Sequence, residues 1–246
     1  MVESAILYAG MLLVAGGMFR WMARAWRRTI TRRAVPLLVP GAVLVALGVG
    51  LPAPDHRVTS PLSHLDSIAP VWQFAEFHEK TIAAPPTQVY RAAELVRADE
   101  IRLFRLLTAI RRGGRPLPGT ILDAGTREPL IEVAIRGGFV DLVRAPPVEL
   151  VFGSAVLTRK GQPRPATPAE YRAPQRAGTA LATMNFVVTP TRGGSRLTTE
   201  TRIYANDAWA RQRFAVYWRL IYPGSALIRR MWLAAIARRA LSQPGD

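Results

Sequence analysis

The end of the chain, residues 206–241, carries apolar side chains at the spacing of an amphipathic helix. The spacing i, i+3, i+4, i+7 occurs twice, at Phe214, Tyr217, Trp218 and Ile221 and again at Ile228, Met231, Trp232 and Ala235. Positions so spaced share one face, so the pattern predicts a long helix with large aromatic residues on one side. We expect Asn206 to cap its start, and Pro223 with Gly224 to kink or briefly break it.

Strand and helix spacings follow one another between residues 71 and 205. A loose alternation predicts a strand at 73–82, and helical spacing predicts amphipathic helices at 87–96 and 103–110. Residues 128–136 fit a short helix or a strand, and the flanking Pro129 and Gly137 favour the helix. Further strands are predicted at 139–144, 148–157, 178–189 and 195–205. The last two form a hairpin with one apolar face, for which the C-terminal helix is the natural cover.

Two apolar runs dominate the first 52 residues. Residues 2–19 contain Glu3 as their one charge, and residues 35–51 contain none. At about 1.5 Å per residue each can approach the thickness of a bilayer, so a transmembrane hairpin is predicted in 1–52, with spans at about 2–19 and 35–51. The alternative is that the second run is buried or interfacial and that one helix spans.

The connection between the two runs is strongly basic. It holds six arginines and no acidic residue, with Trp21 and Trp26 at positions typical of interfacial aromatics. Basic loops stay in the cytoplasm, so the pattern predicts that the rest of the chain lies on the non-cytoplasmic side of an inner or plasma membrane. With a single span, the rest of the chain would instead be cytoplasmic.

Composition narrows the possible chemistry. The chain has no cysteine and a net charge of +16, carried almost wholly by arginine. The arginines are scattered and accompany no nucleic-acid-binding motif, so a bilayer is predicted as a partner and nucleic acid is not. His56 and His64 lie in residues 53–70, a predicted linker, without the spacing of metal ligands. No metal and no cofactor is predicted, and residues 242–246 are a predicted tail.

The order of elements from residue 71 to 241 resembles the START-like helix-grip superfamily (SRPBCC), which includes polyketide cyclase/dehydrase and lipid-transfer domains. The resemblance rests on this order, on the opening FHEKTIAAPPTQVYRAA and on the closing GGSRLTTETRIYANDAWARQRFAVYWRLIYPGSALIRR. It implies an α+β fold in which a curved antiparallel sheet grips the C-terminal helix. The cavity between sheet and helix commonly holds a hydrophobic or lipid-like ligand. The family shares no universal catalytic set, so no active-site residue is carried over.

Seven residues are candidates to line such a cavity: Phe214, Tyr217, Trp218, Ile221, Met184, Phe186 and Glu200. The aromatic residues among them can equally fill a core. The leading hypothesis is a membrane-anchored domain that binds a hydrophobic or lipid-like small molecule. The alternatives are an enzyme of the polyketide cyclase type and an interaction module without a ligand.

Polar residues on the predicted strands give the enzyme hypothesis its candidates. Glu76, His78, Glu149, Glu200 and Arg202 all lie there. A carboxyl group facing an apolar cavity would have a raised pKa suited to acid–base catalysis, and Glu200 is the first choice for that role. Alternation, however, puts Glu200 and Arg202 opposite the apolar side of their strand, where they would be solvent-exposed or ion-paired, and His78 fits an ordinary strand histidine. No catalytic residue is therefore predicted.

Overall fold

A computed structural model describes residues 2–25, 35–51 and 53–242. The helices are α1 (Val2–Ala25), α2 (Val35–Gly50), α3 (His64–Ile68), α4 (Pro86–Leu95), α5 (Phe104–Arg111), α6 (Leu130–Arg136), α7 (Pro168–Arg172) and α8 (Ala208–Ser242). The strands are β1 (His56–Arg57), β2 (Val71–Trp72), β3 (Phe74–Ile82), β4 (Val140–Ala145), β5 (Glu149–Leu157), β6 (Ala180–Thr191) and β7 (Gly194–Ala205). The predicted basic loop at 26–34 and the tail residues 243–246 lie outside the described residues.

The chain forms two compact units. The first contains residues Met1–Ala53 together with Ala215–Pro223 of α8, and the second contains Pro54–Phe214 and Gly224–Asp246. The long C-terminal helix therefore contributes its middle turns to one unit and its two ends to the other. The sequence prediction assigned the whole helix to the second unit, because helical spacing does not reveal which partner each turn contacts.

Tight packing between α1 and α2 holds the first unit together. A Cβ atom on Gly10 would stand 2.8 Å from the Val45 nitrogen, and one on Gly41 would stand 2.9 Å from the Val14 nitrogen, so both positions require glycine. The α8 segment of this unit is tied to the hairpin by hydrogen bonds. The Tyr8 hydroxyl donates to Leu220 O (2.5 Å), and the buried Arg219 side chain donates to Leu51 O (2.7 Å).

Helices form where the two apolar runs were predicted, but the prediction that residues 2–19 and 35–51 are membrane spans finds no support. Among the described residues, none of the helices combines the length and the apolar composition needed to cross a bilayer.

An antiparallel five-stranded sheet is the centre of the second unit, and its order is β3-β7-β6-β5-β4. The predicted hairpin is confirmed as β6 and β7, in which Met184 pairs with Thr201 and Phe186 with Thr199. The unit is thus a mixed α+β structure with an antiparallel sheet and a long C-terminal helix. The short helix at 130–136, which the sequence favoured over a strand, is also present.

We call the side of the sheet that packs against the last turns of α8 the inner face. Its core is apolar: the Trp232 ring meets the Phe186 ring edge-on at 5.2 Å, and Val89 of α4 and Leu130 of α6 are fully buried in the same cluster. At the beginning of α8, Phe214 packs on Phe74 with 5.4 Å between ring centroids. The burial of these large side chains is the main stabilising contribution on this face.

Two details of α8 differ from the sequence prediction. The N-terminal cap is Asp207, whose Oδ1 accepts a hydrogen bond from Ala210 N (2.7 Å). Asn206 instead ties the loop before β6, accepting from Thr179 N (3.0 Å) and donating to Arg176 O (2.7 Å). The helix also continues through Pro223, so of the predicted kink or brief break the break is absent.

Residues 53–70, predicted as a linker, are ordered on the opposite side of the sheet, which we call the outer face. They contain β1, which pairs with β2, and α3, whose Leu65 is fully buried. Ser63 and Asp66 form a reciprocal cap at the start of α3. A helix of five residues is too short to show periodicity, which is why the sequence pattern did not predict it.

Candidate functional site

Strand β3 turns polar side chains toward the inner face. The register pairs Glu76 with Thr201 and His78 with Thr199, so both lie on the side of Met184 and Phe186. Glu76 is 2% exposed, whereas Phe77, between the two, is 55% exposed. This inverts the usual arrangement of apolar side chains inside and polar ones outside, and such inversions are typical of functional positions.

Both oxygens of the Glu76 carboxyl group have partners. Oε1 lies 2.8 Å from Nε2 of His78, and Oε2 accepts a hydrogen bond of 2.8 Å from the Ser225 hydroxyl of α8. The His78 side chain is 10% exposed and that of Glu76 is 1% exposed. The carboxyl group is therefore held by one strand and one helix, within hydrogen-bonding distance of an imidazole.

Arg229 enters the same region from α8, one turn after Ser225. Its Nη2 donates to Thr201 Oγ1 (3.1 Å) and lies 3.0 Å from Met184 Sδ, a weak acceptor. Its guanidinium carbon stands 5.2 Å from the centre of the Trp232 ring. Within the described part of the chain, Arg229 forms no ion pair, and its Nη1 is buried without a hydrogen-bond partner.

The pKa of the Arg229 guanidinium reflects its burial and the charges near it. Burial lowers the pKa of the guanidinium, the negative charge of Glu76 opposes that effect, and the positive charge of Arg111 adds to it. The indole Nε1 of Trp232 is a second buried donor without a partner among the described residues. We call Glu76, His78, Thr201, Ser225 and Arg229 the inner cluster.

A second group of polar residues lies on the outer face, centred on Arg202. The guanidinium donates to Glu200 (2.6 Å), Asp66 (2.7 Å) and Ala69 O (3.2 Å), and it stacks on Trp72 at 4.1 Å. Burial alone would lower the pKa of Arg202, but the two carboxylates outweigh it and raise the pKa. Burial alone would raise the pKa of Asp66, but hydrogen bonds from Leu62 N and Arg202 lower it.

Glu149 completes this outer cluster, which we define as Asp66, Glu149, Asn185, Glu200 and Arg202. Its carboxylate accepts from His64 N (2.7 Å) and Leu65 N (3.2 Å) at the start of α3, and from Asn185 Nδ2 (2.8 Å). Glu149, which lies on β5 and is far from α3 in the sequence, therefore joins α3 to the sheet by hydrogen bonds. In the described part of the chain, no side-chain nitrogen or oxygen of the outer cluster is buried without a hydrogen-bond partner, so the cluster has a structural explanation.

The structure separates the seven predicted cavity residues. Met184 and Phe186 lie on the inner face, and Phe214 packs on Phe74 at the beginning of α8. Glu200 lies on the outer face in the ion pair with Arg202 that the alternation of β7 allowed. Tyr217, Trp218 and Ile221 belong to the first unit, where Trp218 packs edge-on against Tyr222 at 5.6 Å.

The sequence prediction did not name Arg229 or Ser225 as site residues. It named Glu76 and His78 among the candidates for catalysis but interpreted His78 as an ordinary strand histidine. A signal for Arg229 was present: it precedes Trp232, Leu233 and Ile236 by three, four and seven positions, all three of which are buried. An arginine on a buried helix stripe requires a partner or a function. No group of three His, Cys, Asp or Glu side chains suited to a metal occurs in the described ranges.

Comparisons with known proteins give distant likenesses. No family model matches the chain, and no curated protein matches it. Among solved structures, the chain is similar to protein MLL2253 from Mesorhizobium loti, with 14% identity and a TM-score of 0.32 over 67% of this chain and 98% of that one. It is also similar to the di-domain ARO/CYC BexL of the BE-7585A biosynthetic pathway, with 16% identity and a TM-score of 0.33 over 92% of this chain and 61% of that one. Protein CV1439 from Chromobacterium violaceum is 14% identical, with a TM-score of 0.25, over 63% of this chain and 96% of that one. The fold described above rests on the strand order and register of this chain alone.

Proposed function

We propose that the second unit is a helix-grip domain that binds a hydrophobic or lipid-like small molecule between the inner face of the sheet and α8. The observation that carries this proposal is the inner cluster itself. Three of its residues, Glu76, Thr201 and Arg229, are buried. Hydrogen bonds hold its polar groups from β3, β7 and α8, beside the apolar side chains of Met184, Phe186 and Trp232. Apolar walls with a few fixed polar groups are the usual composition of small-molecule sites.

A neutral, environment-sensitive probe such as N-phenyl-1-naphthylamine tests this binding. We expect the detergent-purified chain to bind the probe, and native mass spectrometry to detect a small molecule carried through purification. Met184→Trp, which fills the inner face, should weaken binding at least about tenfold, a loss of about 1.4 kcal/mol. Leu12→Ser serves as the matched control, because Leu12 is 72% exposed on the helical hairpin.

The opposite pattern would contradict the proposal. If Leu12→Ser removes probe binding and Met184→Trp leaves it unchanged, the probe is reporting the exposed surface of the hairpin. If neither probe nor co-purified molecule binds, the inner face is a filled core, and an interaction module without a ligand becomes the better interpretation.

We further propose that the hairpin of α1 and α2 holds the chain at an inner or plasma membrane, with the second unit on the non-cytoplasmic side. Large apolar side chains exposed on the hairpin support this: Leu12 is 72% exposed, Phe19 70%, Val39 56% and Val43 51%. Contiguous exposed apolar surface is typical of sites that meet a membrane or a partner. The full chain should resist alkaline carbonate extraction from membranes, and Leu12→Asp with Val43→Asp should release it. A reporter fused after Asp246 that is active only in the cytoplasm would contradict the proposed side.

A second candidate function is acid–base catalysis on the bound molecule, in the manner of polyketide cyclases. The observation that favours it is the 2.8 Å contact between the buried Glu76 carboxyl group and His78. A carboxylate can orient an imidazole and stabilise its protonated form, which makes His78 a candidate general base. With a ligand identified, His78→Gln and Glu76→Gln should abolish turnover while binding persists. Undiminished turnover in both variants would remove this candidate.

A further inference from the structure

The polar groups of the inner cluster are unequally satisfied. Glu76, the carboxyl group of the cluster, already receives hydrogen bonds from Ser225 and shares one with His78. Among the described residues, the acceptors within hydrogen-bond distance of Arg229 are a hydroxyl and a thioether, and neither carries a charge. Glu76 acts on Arg229 as a nearby charge without forming an ion pair with it. A buried guanidinium without a directly paired carboxylate is costly, and an anionic ligand in contact with it would reduce that cost.

The unmatched groups are all donors. Arg229 Nη1 and Trp232 Nε1 are buried without partners in the described part of the chain, and their side chains lie together on one face of α8. Arginine and the indole group have donors and no acceptor, so a molecule that satisfies them must bring acceptor atoms. A hydroxyl or ketone group would satisfy one donor, but it would leave the positive charge unpaired.

We propose that Arg229 binds the carboxylate of an amphipathic acid whose apolar part lies against Met184 and Phe186, with Trp232 Nε1 as a second donor. This inference rests on the proposed function and specifies its ligand class. The planar guanidinium presents parallel N–H groups that match the two oxygens of a carboxylate, and hydrogen bonds between charged groups are about twice as strong as neutral ones. The site on the sheet would thus accept an acid in preference to the corresponding alcohol or ester.

The isolation of Arg229 agrees with this assignment. Burial lowers the pKa of its guanidinium although the charge of Glu76 opposes that effect, and a carboxylate bound in direct contact would oppose it further. Glu76 influences Arg229 through its charge, but among the described residues no ion pair joins the two side chains, and the Glu76 oxygens contact His78 and Ser225 instead. Arg229 is therefore the group that distinguishes an anionic ligand from a neutral one.

Dodecanoate and dodecanol form a matched pair of probes that differ only in the polar head. We expect both to displace N-phenyl-1-naphthylamine from the full chain, and dodecanoate to bind at least tenfold more tightly. Arg229→Met should remove that preference while dodecanol still binds. Arg230→Gln is the matched control, since Arg230 is the adjacent arginine on α8 and is exposed, and it should keep the preference.

Folding is checked in the same variants by the urea midpoint. Because Arg229 forms no ion pair with the residues that the structure describes, Arg229→Met should be at least as stable as the wild type. Loss of a structural arginine would instead lower the urea midpoint. Equal binding of acid and alcohol by the wild type, or a preference that survives in Arg229→Met, would overturn the inference and leave the proposed function intact. If neither dodecanoate nor dodecanol displaces the probe, the proposed function fails together with the inference.

Discussion

Each face of the sheet buries one arginine, and the two guanidinium groups differ in their hydrogen-bond acceptors and ion pairs. Arg202 on the outer face contacts two carboxylates, a backbone carbonyl and the face of an indole ring. Arg229 on the inner face also lies over an indole ring, that of Trp232, but its hydrogen-bond acceptors are a hydroxyl and a sulfur atom, and it retains a buried donor without a partner in the described residues. Accordingly the pKa of Arg202 is raised and that of Arg229 is lowered.

The difference separates a structural arginine from a candidate binding residue. A fold that needs a cation to join two elements supplies the counter-charges as well, as the outer cluster does for α3. A site that must receive a ligand leaves part of its hydrogen-bonding capacity unused until the ligand arrives. Strained or unsatisfied groups of this kind are found preferentially at functional positions. Replacement of Arg202 should therefore lower stability, whereas replacement of Arg229 should change ligand preference.

The largest expected effect is on the outer face. Arg202→Met leaves the carboxylates of Asp66 and Glu200 without their cation, and breaking a buried pair in this way costs about 3–5 kcal/mol. We expect a lower urea midpoint for the second unit, followed by near-UV circular dichroism, with ligand preference unaffected. Arg230→Gln, an exposed replacement on α8, should change stability by less than about 0.5 kcal/mol. A variant as stable as the wild type would show that Arg202 is not structural.

How much of this arrangement the sequence could predict depends on how local each feature is. The β6–β7 hairpin follows from alternation and from the glycine pair at its turn, and α8 follows from helical spacing, so both were predicted close to their observed bounds. Helix α3 depends on Glu149, which follows Leu65 by 84 positions, and no local pattern encodes that contact.

The sequence predicted part of the candidate site, because alternation identifies the faces of some strands but not of others. Period-two alternation gave the faces of β7 correctly, and with them the pairing of Glu200 and Arg202. On β3 the same rule fails, because Glu76 is buried and Phe77 is exposed. The basic residues late in α8 also suit the negative end of a helix dipole, so the presence of Arg229 there does not by itself indicate that it lies on the buried stripe. Which side of a helix faces a sheet depends on tertiary packing. Helical spacing of apolar residues locates the buried stripe, but it does not show whether a residue at the edge of that stripe is buried.

An intermediate effect is expected at Asp66, with a defined pH dependence. Asp66→Asn weakens the charged hydrogen bonds from Leu62 N, Ser63 N and Arg202, at a cost of about 2 kcal/mol at neutral pH. The folded pKa of Asp66 lies below its ordinary value of 3.8. The stabilisation is therefore fully present above pH 3.8 and is lost as the pH falls through the folded pKa.

The measurement for Asp66 is a series of urea midpoints from neutral pH to below pH 3.8, the ordinary aspartate value. The wild type and Asp66→Asn should converge at the acid end of this series. Asp99→Asn is the control: Asp99 pairs with Arg97 on an exposed surface, and such pairs contribute about 0–1 kcal/mol. A stability difference for Asp66→Asn that stays constant with pH would contradict the assigned role of the charge.

The smallest effect tests the inner cluster by a double-mutant cycle. Thr201→Val keeps the shape of the side chain but removes the hydroxyl that accepts from Arg229 Nη2 at 3.1 Å. In the wild type this leaves a buried cation with one acceptor fewer, at a cost of about 1 kcal/mol. In the Arg229→Met background the same change should cost nothing, because no cation remains to be satisfied. A coupling energy of about 1 kcal/mol from urea midpoints would place Thr201 and Arg229 in one network. If Thr201→Val lowers stability equally in both backgrounds, the hydroxyl does not stabilise the guanidinium. Arg229 would then have even fewer effective acceptors than the structure indicates, and it would differ still more from Arg202.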